Sequence, residues 1–126
     1  LPEAALERLA RLKTGALIAF SAQSGAILAA DEGVRAVLAA YGEDVGLAFQ
    51  IVDDLLDVTG DAAAVGKRVG KDAARGKQTL VGRRGVDRAS AEAAELAGKA
   101  ARRLDLFGEM AEHLRRVAAF AVARGK

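Results

Sequence analysis

The distribution of proline is the feature that most restricts how this chain can fold. The only proline is Pro2, so no later position is barred from a helix by a fixed φ or a missing amide hydrogen. Aromatic residues make up 4% of the 126 residues and alanine about a quarter, so the core must consist of closely packed Ala, Leu and Val side chains. Such surfaces suit packed helices better than sheets. The sequence therefore predicts one all-α domain over residues 1–126.

Apolar residues recur at three- and four-residue spacing along most of the chain, which is the helical period. Asp31, Thr79 and Asp87 are predicted to cap helix N-termini with their side-chain oxygens. Gly15 and Gly25 lie inside the first helix, where each would cost stability unless another backbone came close. The predicted helices are 3–30, 32–58 with a break or kink near Tyr41–Gly42, 79–85, 88–106 and 109–123. Residues 59–78 are predicted to form a glycine-rich loop that has room for one short helical turn.

Residue types that are rare in the sequence exclude several function classes. There is no cysteine, which excludes disulfide scaffolds, cysteine nucleophiles and thiolate zinc sites, and fits a reducing compartment such as the cytoplasm. The single histidine, His113, makes histidine-rich metal sites and a Ser-His-Asp triad poor hypotheses. The sequence contains no run of about 20 apolar residues, so no membrane span is predicted. The first residues do not have the pattern of a signal peptide.

Charge is distributed unevenly, although the net charge is only +2. The segment from Asp31 to Asp61 contains eight acids and one base, and the segment from Lys67 to Arg88 contains eight bases and two acids. An acidic block followed directly by a basic block indicates either two solvated surfaces or a site that combines a cation with an anionic ligand.

The acidic block contains four polar side chains on one helical face. Gln50, Asp53, Asp54 and Asp57 follow the spacing i, i+3, i+4, i+7, opposite an apolar stripe. The stripe consists of Leu47, Ile51, Leu55 and Val58. Neighbouring carboxylates repel one another, and a bound divalent cation would reverse that effect. Ligands that are all oxygen favour a hard ion, Mg²⁺ first. The alternative is an ordinary solvated acidic face.

Several lysines are candidates to bind the anionic ligand of such a site. Lys13, beside Thr14, lies on the apolar stripe of the first helix, where it either faces an anionic ligand between helices or extends its head to solvent. In the loop, Lys67, Lys71 and Lys77 alternate with glycines, which suits contact with phosphate but lacks the P-loop pattern. A flexible surface loop remains an alternative. A nucleic-acid patch is disfavoured by the lack of aromatics and by the acidic face before the loop.

Together these features resemble the short-chain trans-isoprenyl diphosphate synthases of the farnesyl and geranylgeranyl type. The segment 13–17 (KTGAL) is similar to the family's K-T element. Residues 46–61 (GLAFQIVDDLLDVTGD) resemble its second aspartate-rich motif, DDxxD, and residues 66–81 (GKRVGKDAARGKQTLV) resemble the lysine loop that follows. The three motifs occur in the family's order and extend over essentially the whole chain.

The resemblance implies an all-α fold around a central cavity, a homodimer, and condensation of an allylic diphosphate with isopentenyl diphosphate. It implies that Asp53, Asp57 and, less directly, Asp54 hold Mg²⁺. Lys67, Lys77 and Lys13 would bind the allylic diphosphate, and Lys13, Thr14 and Gln50 would line the site and stabilise developing positive charge.

Two departures from the family pattern limit the interpretation. The first aspartate-rich motif (DDxxxxD) and the N-terminal basic residues are absent, so we expect the C-terminal half of such an enzyme, with little turnover of its own. Arg83 and Arg84 replace apolar residues and predict a solvated face or a contact with a missing segment. The primary hypothesis is a farnesyl diphosphate synthase. The alternatives are a geranylgeranyl diphosphate synthase, a non-catalytic helical partner of a full-length synthase, and, less well matched, a terpene cyclase relative.

Overall fold

The computed structural model describes residues 1–64 and 79–124, and within these ranges it contains helices and no β-strand. The all-α prediction is therefore confirmed. None of the described helices combines the length and hydropathy needed to cross a bilayer. The helices are α1 Glu3–Ala10, α2 Ala16–Leu28, α3 Glu32–Ala64, α4 Leu80–Arg84, α5 Val86–Arg103 and α6 Glu112–Ala123, with a π-helical segment Arg11–Gly15 before α2 and a 3₁₀ segment Asp105–Ala111 before α6.

Helix α3 is the central element of the bundle and packs most extensively against α2 and α5. Its apolar stripe supplies Leu47 and Ile51 to one core cluster, together with Leu6 of α1 and Leu80 of α4. The stripe predicted from the sequence is thus confirmed through Leu55, which is partly buried against the same cluster, whereas Val58 is 41% exposed. The second cluster lies around the N-terminal half of α3, against α5, α6 and the 3₁₀ segment: Tyr41, Val45, Ala100, Leu104, Ala111, Ala118 and Ala121.

Alanine forms the contact surface of α5. The buried residues of this helix are Ala89, Ala93, Ala97 and Ala100, and Leu96, which is partly buried, is the larger side chain that packs beside them. Small side chains allow helix axes to approach closely, which replaces the bulk that aromatic residues would otherwise provide. The alanine-based core expected from composition is confirmed.

Two glycines of α3 contact the backbone of the preceding helices. A Cβ on Gly46 would lie 2.6 Å from Cα of Gly15, and a Cβ on Gly42 would lie 2.6 Å from Cα of Ala19. The close approach predicted at Gly15 is confirmed, while nothing lies within 4 Å of a Cβ built on Gly25, so that prediction was wrong. The predicted break near Tyr41–Gly42 was also wrong: α3 is continuous there, because Gly42 serves helix contact and not a bend.

Helix boundaries agree with the predictions only in part. The Asp31 carboxylate accepts from the amide of Val34 at 3.0 Å, and the Thr79 hydroxyl accepts from the amide of Gly82 at 3.1 Å, which confirms both caps. Asp87 is not an N-cap, because α5 already begins at Val86 after Gly85, whose φ of +83° ends the preceding turn. Residues 59–64 continue α3 and do not begin a loop.

Arg84 is buried and does not lie on a solvated face. Its side chain is 7% exposed, and its guanidinium group donates to three glutamates, Glu3 and Glu7 of α1 and Glu92 of α5. The solvated face predicted for Arg84 was wrong, because Glu3 and Glu7, which bind it from α1, lie 81 and 77 positions earlier in the sequence. The planar guanidinium has enough donors to hold three carboxylates together and so ties α1, α4 and α5 to one another.

The Gly46 contact predicts opposite effects for two glycine substitutions. Gly46→Ala places a methyl group against backbone atoms that cannot move independently, so we expect a loss of about 1–3 kcal/mol in the free energy of unfolding. Gly25→Ala is the matched control in an open helical position and should gain about 0.5–1 kcal/mol. Urea denaturation of both variants measures the difference. Equal stability of the two variants would contradict the close approach of α2 and α3.

Tyr41, the only tyrosine, predicts a pH limit of the fold. Its hydroxyl donates to the carbonyl of Leu114 at 2.7 Å, and burial raises its pKa from 10.0 to about 12. Folding therefore favours the protonated phenol: this stabilisation is complete below pH 10 and is lost as the pH rises through about 12. Tyrosinate absorbance should show ionisation near 12 in the folded chain and near 10 in urea.

The variant Tyr41→Phe serves as the control for this titration. It loses the hydrogen bond to Leu114, at a cost of about 1 kcal/mol in the free energy of unfolding, and should no longer show the decline of stability between pH 10 and 12. An ionisation midpoint near 10 in the folded chain would contradict the burial of the phenol.

Candidate functional site

The predicted K-T element lies at a kink in the polypeptide. Lys13 has φ −75° and ψ −117°, which interrupts the predicted single helix 3–30 inside the π-helical segment. Gly15, two residues later, is buried and packs on Gly46 of α3. This contact fixes the kinked segment against α3, one helical turn before Gln50.

The side chain of Lys13 is exposed. Of the two alternatives predicted for it, the structure agrees with the one in which its head extends to solvent. The physical reason is that the apolar stripe on which Lys13 lies is itself uncovered: Leu9, Leu17 and Phe20 are 55%, 67% and 62% exposed. Lys13 nevertheless lies near enough to α3 for its positive charge to lower the pKa of Asp54. Thr14 is half-buried beside it.

Gln50, which is buried, and Asp54, which is half-buried, form a polar pair one turn apart on α3. The amide nitrogen Nε2 of Gln50 donates to Oδ1 of Asp54 at 3.3 Å, and Gln50 is 5% exposed. Burial raises the pKa of Asp54, and repulsion from Asp57 and Asp53 acts in the same direction, whereas Gln50 and Lys13 oppose the rise. The chain thus holds a carboxylate where its charge is unfavourable in the absence of a ligand.

Asp53 has a cationic partner that sequence reasoning missed. Nη1 of Arg124, the residue that follows α6, donates to Oδ1 of Asp53 at 3.0 Å. The same guanidinium donates to the carbonyl of Phe49 at 2.9 Å and lies 3.6 Å above the centre of the Phe49 ring. No sequence signal links Arg124 to Asp53, because 71 positions separate them and the pairing depends on how α6 packs.

The remaining predicted residues divide into two groups. Asp57 is exposed at the end of the acidic face. Lys67, Lys71 and Lys77 lie outside the described residues. The contact with diphosphate predicted for Lys67 and Lys77 therefore stays a prediction. The structure therefore brings together Lys13, Gln50 and Asp54 and places Asp53 beside them in a pair with Arg124.

The donor chemistry of this face fits Mg²⁺ in one particular way. Among the side chains that the structure describes, in residues 1–60 and 79–124, no three acidic or histidine groups converge closely enough to enclose a metal ion. Magnesium does not need such a cage, since it commonly takes one or two carboxylates together with waters and phosphate oxygens. In addition, Oε1 of Gln50 is buried and, within the described part of the chain, has no hydrogen-bond partner. The residues present fit a metal that arrives with a phosphate ligand.

Comparison with known proteins identifies the family. The polyprenyl synthetase family matches residues 2–114, and the chain belongs to that family. This confirms the resemblance drawn from the three motifs.

Similar proteins include farnesyl diphosphate synthase of Escherichia coli, which is 46% identical over 110 residues, covering 86% of this chain and 37% of the relative. A probable farnesyl diphosphate synthase of Bradyrhizobium diazoefficiens is 41% identical over 82% of the chain and 33% of its own length. A short chain isoprenyl diphosphate synthase of Methanothermobacter thermautotrophicus is 48% identical over 79 residues, or 24% of its length. The chain thus spans about a third or less of these relatives.

The unfavourable charge of Asp54 predicts that its removal stabilises the metal-free fold. Asp54→Asn keeps the shape and the acceptor for Gln50 but removes a buried negative charge that Asp53 and Asp57 repel. We expect the midpoint of thermal unfolding to rise by a few degrees in a buffer with a chelator. Asp57→Asn, at an exposed position on the same face, is the control and should change it less. A fall in the midpoint for Asp54→Asn would contradict this account.

Proposed function

We propose that this chain supplies the allylic-diphosphate half of the active site of a Mg²⁺-dependent prenyltransferase that forms farnesyl diphosphate. The supporting observation is that a kinked Lys13 segment packs next to the acidic face of α3, where Gln50 and Asp54 are held together. Membership of the polyprenyl synthetase family and the names of the relatives support the same reaction. In it, an allylic diphosphate loses diphosphate, the double bond of isopentenyl diphosphate attacks the resulting cation to form the new carbon–carbon bond, and loss of a proton from the adduct restores a double bond.

The acidic face and the lysines would divide the work of binding. Asp53, Asp54 and Asp57 would hold Mg²⁺, which when bound neutralises charge on the leaving diphosphate. Lys13 would contribute a further positive charge at the kink, and Lys67 and Lys77 would add theirs from the segment after α3. Positive charge in place before the carbon–oxygen bond breaks lowers the cost of releasing an anion.

Gln50 and Thr14 would act on the organic part of the substrate. Nε2 of Gln50 is used by Asp54, which leaves the amide oxygen as an acceptor with a partial negative charge. Such an oxygen stabilises a developing cation without competing as a strong nucleophile. The half-buried hydroxyl of Thr14 supplies a second oxygen of the same kind. A homodimer, which the resemblance implies, and a cytoplasmic location, with which the absence of cysteine is compatible, complete the proposal.

A second candidate is a non-catalytic helical partner of a full-length synthase. The observation that favours it is the number of large apolar side chains left exposed, among them Leu12 at 63%, Leu17 at 67% and Met110 at 87%. A chain with such surfaces tends to associate with another protein. Product chain length is open in both cases, so a geranylgeranyl product is a further alternative.

A chimeric enzyme tests the primary proposal. Replacing the matching segment of the Escherichia coli synthase by this chain should give an enzyme that forms farnesyl diphosphate. Within the chimera, Asp53→Asn should lower kcat about 100-fold or more, because it removes a metal ligand. Asp105→Asn, at an exposed position outside the acidic face, is the control and should have little effect. A folded chimera that forms no product would refute the proposal.

The isolated 126-residue chain provides the complementary measurement. Incubated with both diphosphates and Mg²⁺, it should show little or no product, because only one of the two aspartate-rich motifs is in its sequence. Robust product formation would contradict the half-site interpretation. Co-purification with a full-length synthase, together with an inactive chimera, would instead favour the helical-partner alternative.

A further inference from the structure

Arg124 is a firmly held cation next to the acidic face. Its Nη1 contacts Asp53 Oδ1, its Nη2 contacts the Phe49 carbonyl, and its Nε donates to the carbonyl of Ala121 at 3.2 Å. Stacking on Phe49 adds a fourth contact, and the side chain is only 18% exposed. Because each nitrogen is engaged, these contacts hold the positive charge beside Asp53.

This charge has opposite effects on two kinds of ligand. A bare divalent cation that binds Asp53 is repelled by the guanidinium and must share a carboxylate whose charge is already partly neutralised. A metal–diphosphate complex carries net negative charge, so the same guanidinium attracts it. Discrimination between ligands is a difference of affinities, and a fixed charge of one sign changes both affinities in opposite directions.

We propose that Arg124 is a positioning residue that makes the acidic face selective for a metal–diphosphate complex over the free metal ion. It holds Oδ1 of Asp53 and lowers the affinity of this carboxylate for a bare cation. This inference rests on the proposed function, and it adds a residue to which that proposal gives no role.

Binding measurements on the full 126-residue chain test the inference. The probes are Mn²⁺ alone, as a spectroscopic substitute for Mg²⁺, and Mn²⁺ with inorganic diphosphate. Arg124→Gln should tighten the binding of Mn²⁺ alone about fivefold and weaken the binding of the Mn²⁺–diphosphate complex by a similar factor. Arg116→Gln is the matched control, because Arg116 lies on α6, is 73% exposed and contacts only the exposed Glu112 among the ion pairs of the described residues.

The two probes separate a local electrostatic role from a structural one. If Arg124 served only to stabilise the fold, Arg124→Gln would lower the affinity of the chain for both Mn²⁺ and Mn²⁺–diphosphate. That outcome would overturn the inference. Equal affinities in Arg124→Gln and Arg116→Gln would overturn it as well.

The variant Asp53→Asn separates this inference from the proposed function. If Asp53→Asn weakens Mn²⁺ binding but Arg124→Gln leaves both affinities unchanged, the role of Arg124 fails and the metal assignment stands. If Asp53→Asn has no effect on either probe, Asp53 is not a metal ligand, and both the inference and that part of the proposed function are wrong. Prenyl transfer by the chimera is an independent readout of the proposed function.

Discussion

The close contact between Gly15 and Gly46 is the constraint on which the candidate site depends. Any side chain at position 46 would meet the backbone of the π-helical segment, so only glycine allows this approach. The contact places the kink at Lys13 beside α3, one turn before Gln50. A chain with a straight helix over residues 3–30, or with larger residues at the contact, would separate the lysine from the acidic face.

The same bundle shows how a chain with few aromatic residues builds a core. Alanine on α5 and glycine on α3 let helices approach closely, and dispersion contacts between backbones and methyl groups replace large side chains. The few large apolar residues that are fully buried, such as Leu47, Ile51 and Leu104, fill the remaining space. Rigid helices of this kind hold functional side chains in fixed positions, which a site for a charged ligand requires.

Charge in this protein is used in two different ways. Arg84 gathers three glutamates from two helices and serves the fold. On α3, the carboxylates are arranged at a cost to the fold, since burial and mutual repulsion raise the pKa of Asp54 and one acid, Asp53, takes a partner from the end of α6. Unfavourable local interactions of the second kind are expected where a site is prepared for a ligand.

The sequence by itself determined what depends on near neighbours along the chain. The all-α class, the caps at Asp31 and Thr79 and the common face of Gln50, Asp53, Asp54 and Asp57 follow from helical spacing and side-chain chemistry, and the three motifs were enough to indicate the family. Only the tertiary structure decided which acid is half-buried beside Gln50 and which acid pairs with Arg124. It also decided that Lys13 is exposed and that the side chain of Arg84 is buried. The long-range pairs behind these outcomes include Arg124 with Asp53, 71 positions apart, and Arg84 with Glu3, 81 positions apart. Local propensity does not encode such pairings, because they depend on which helix faces meet when the bundle packs.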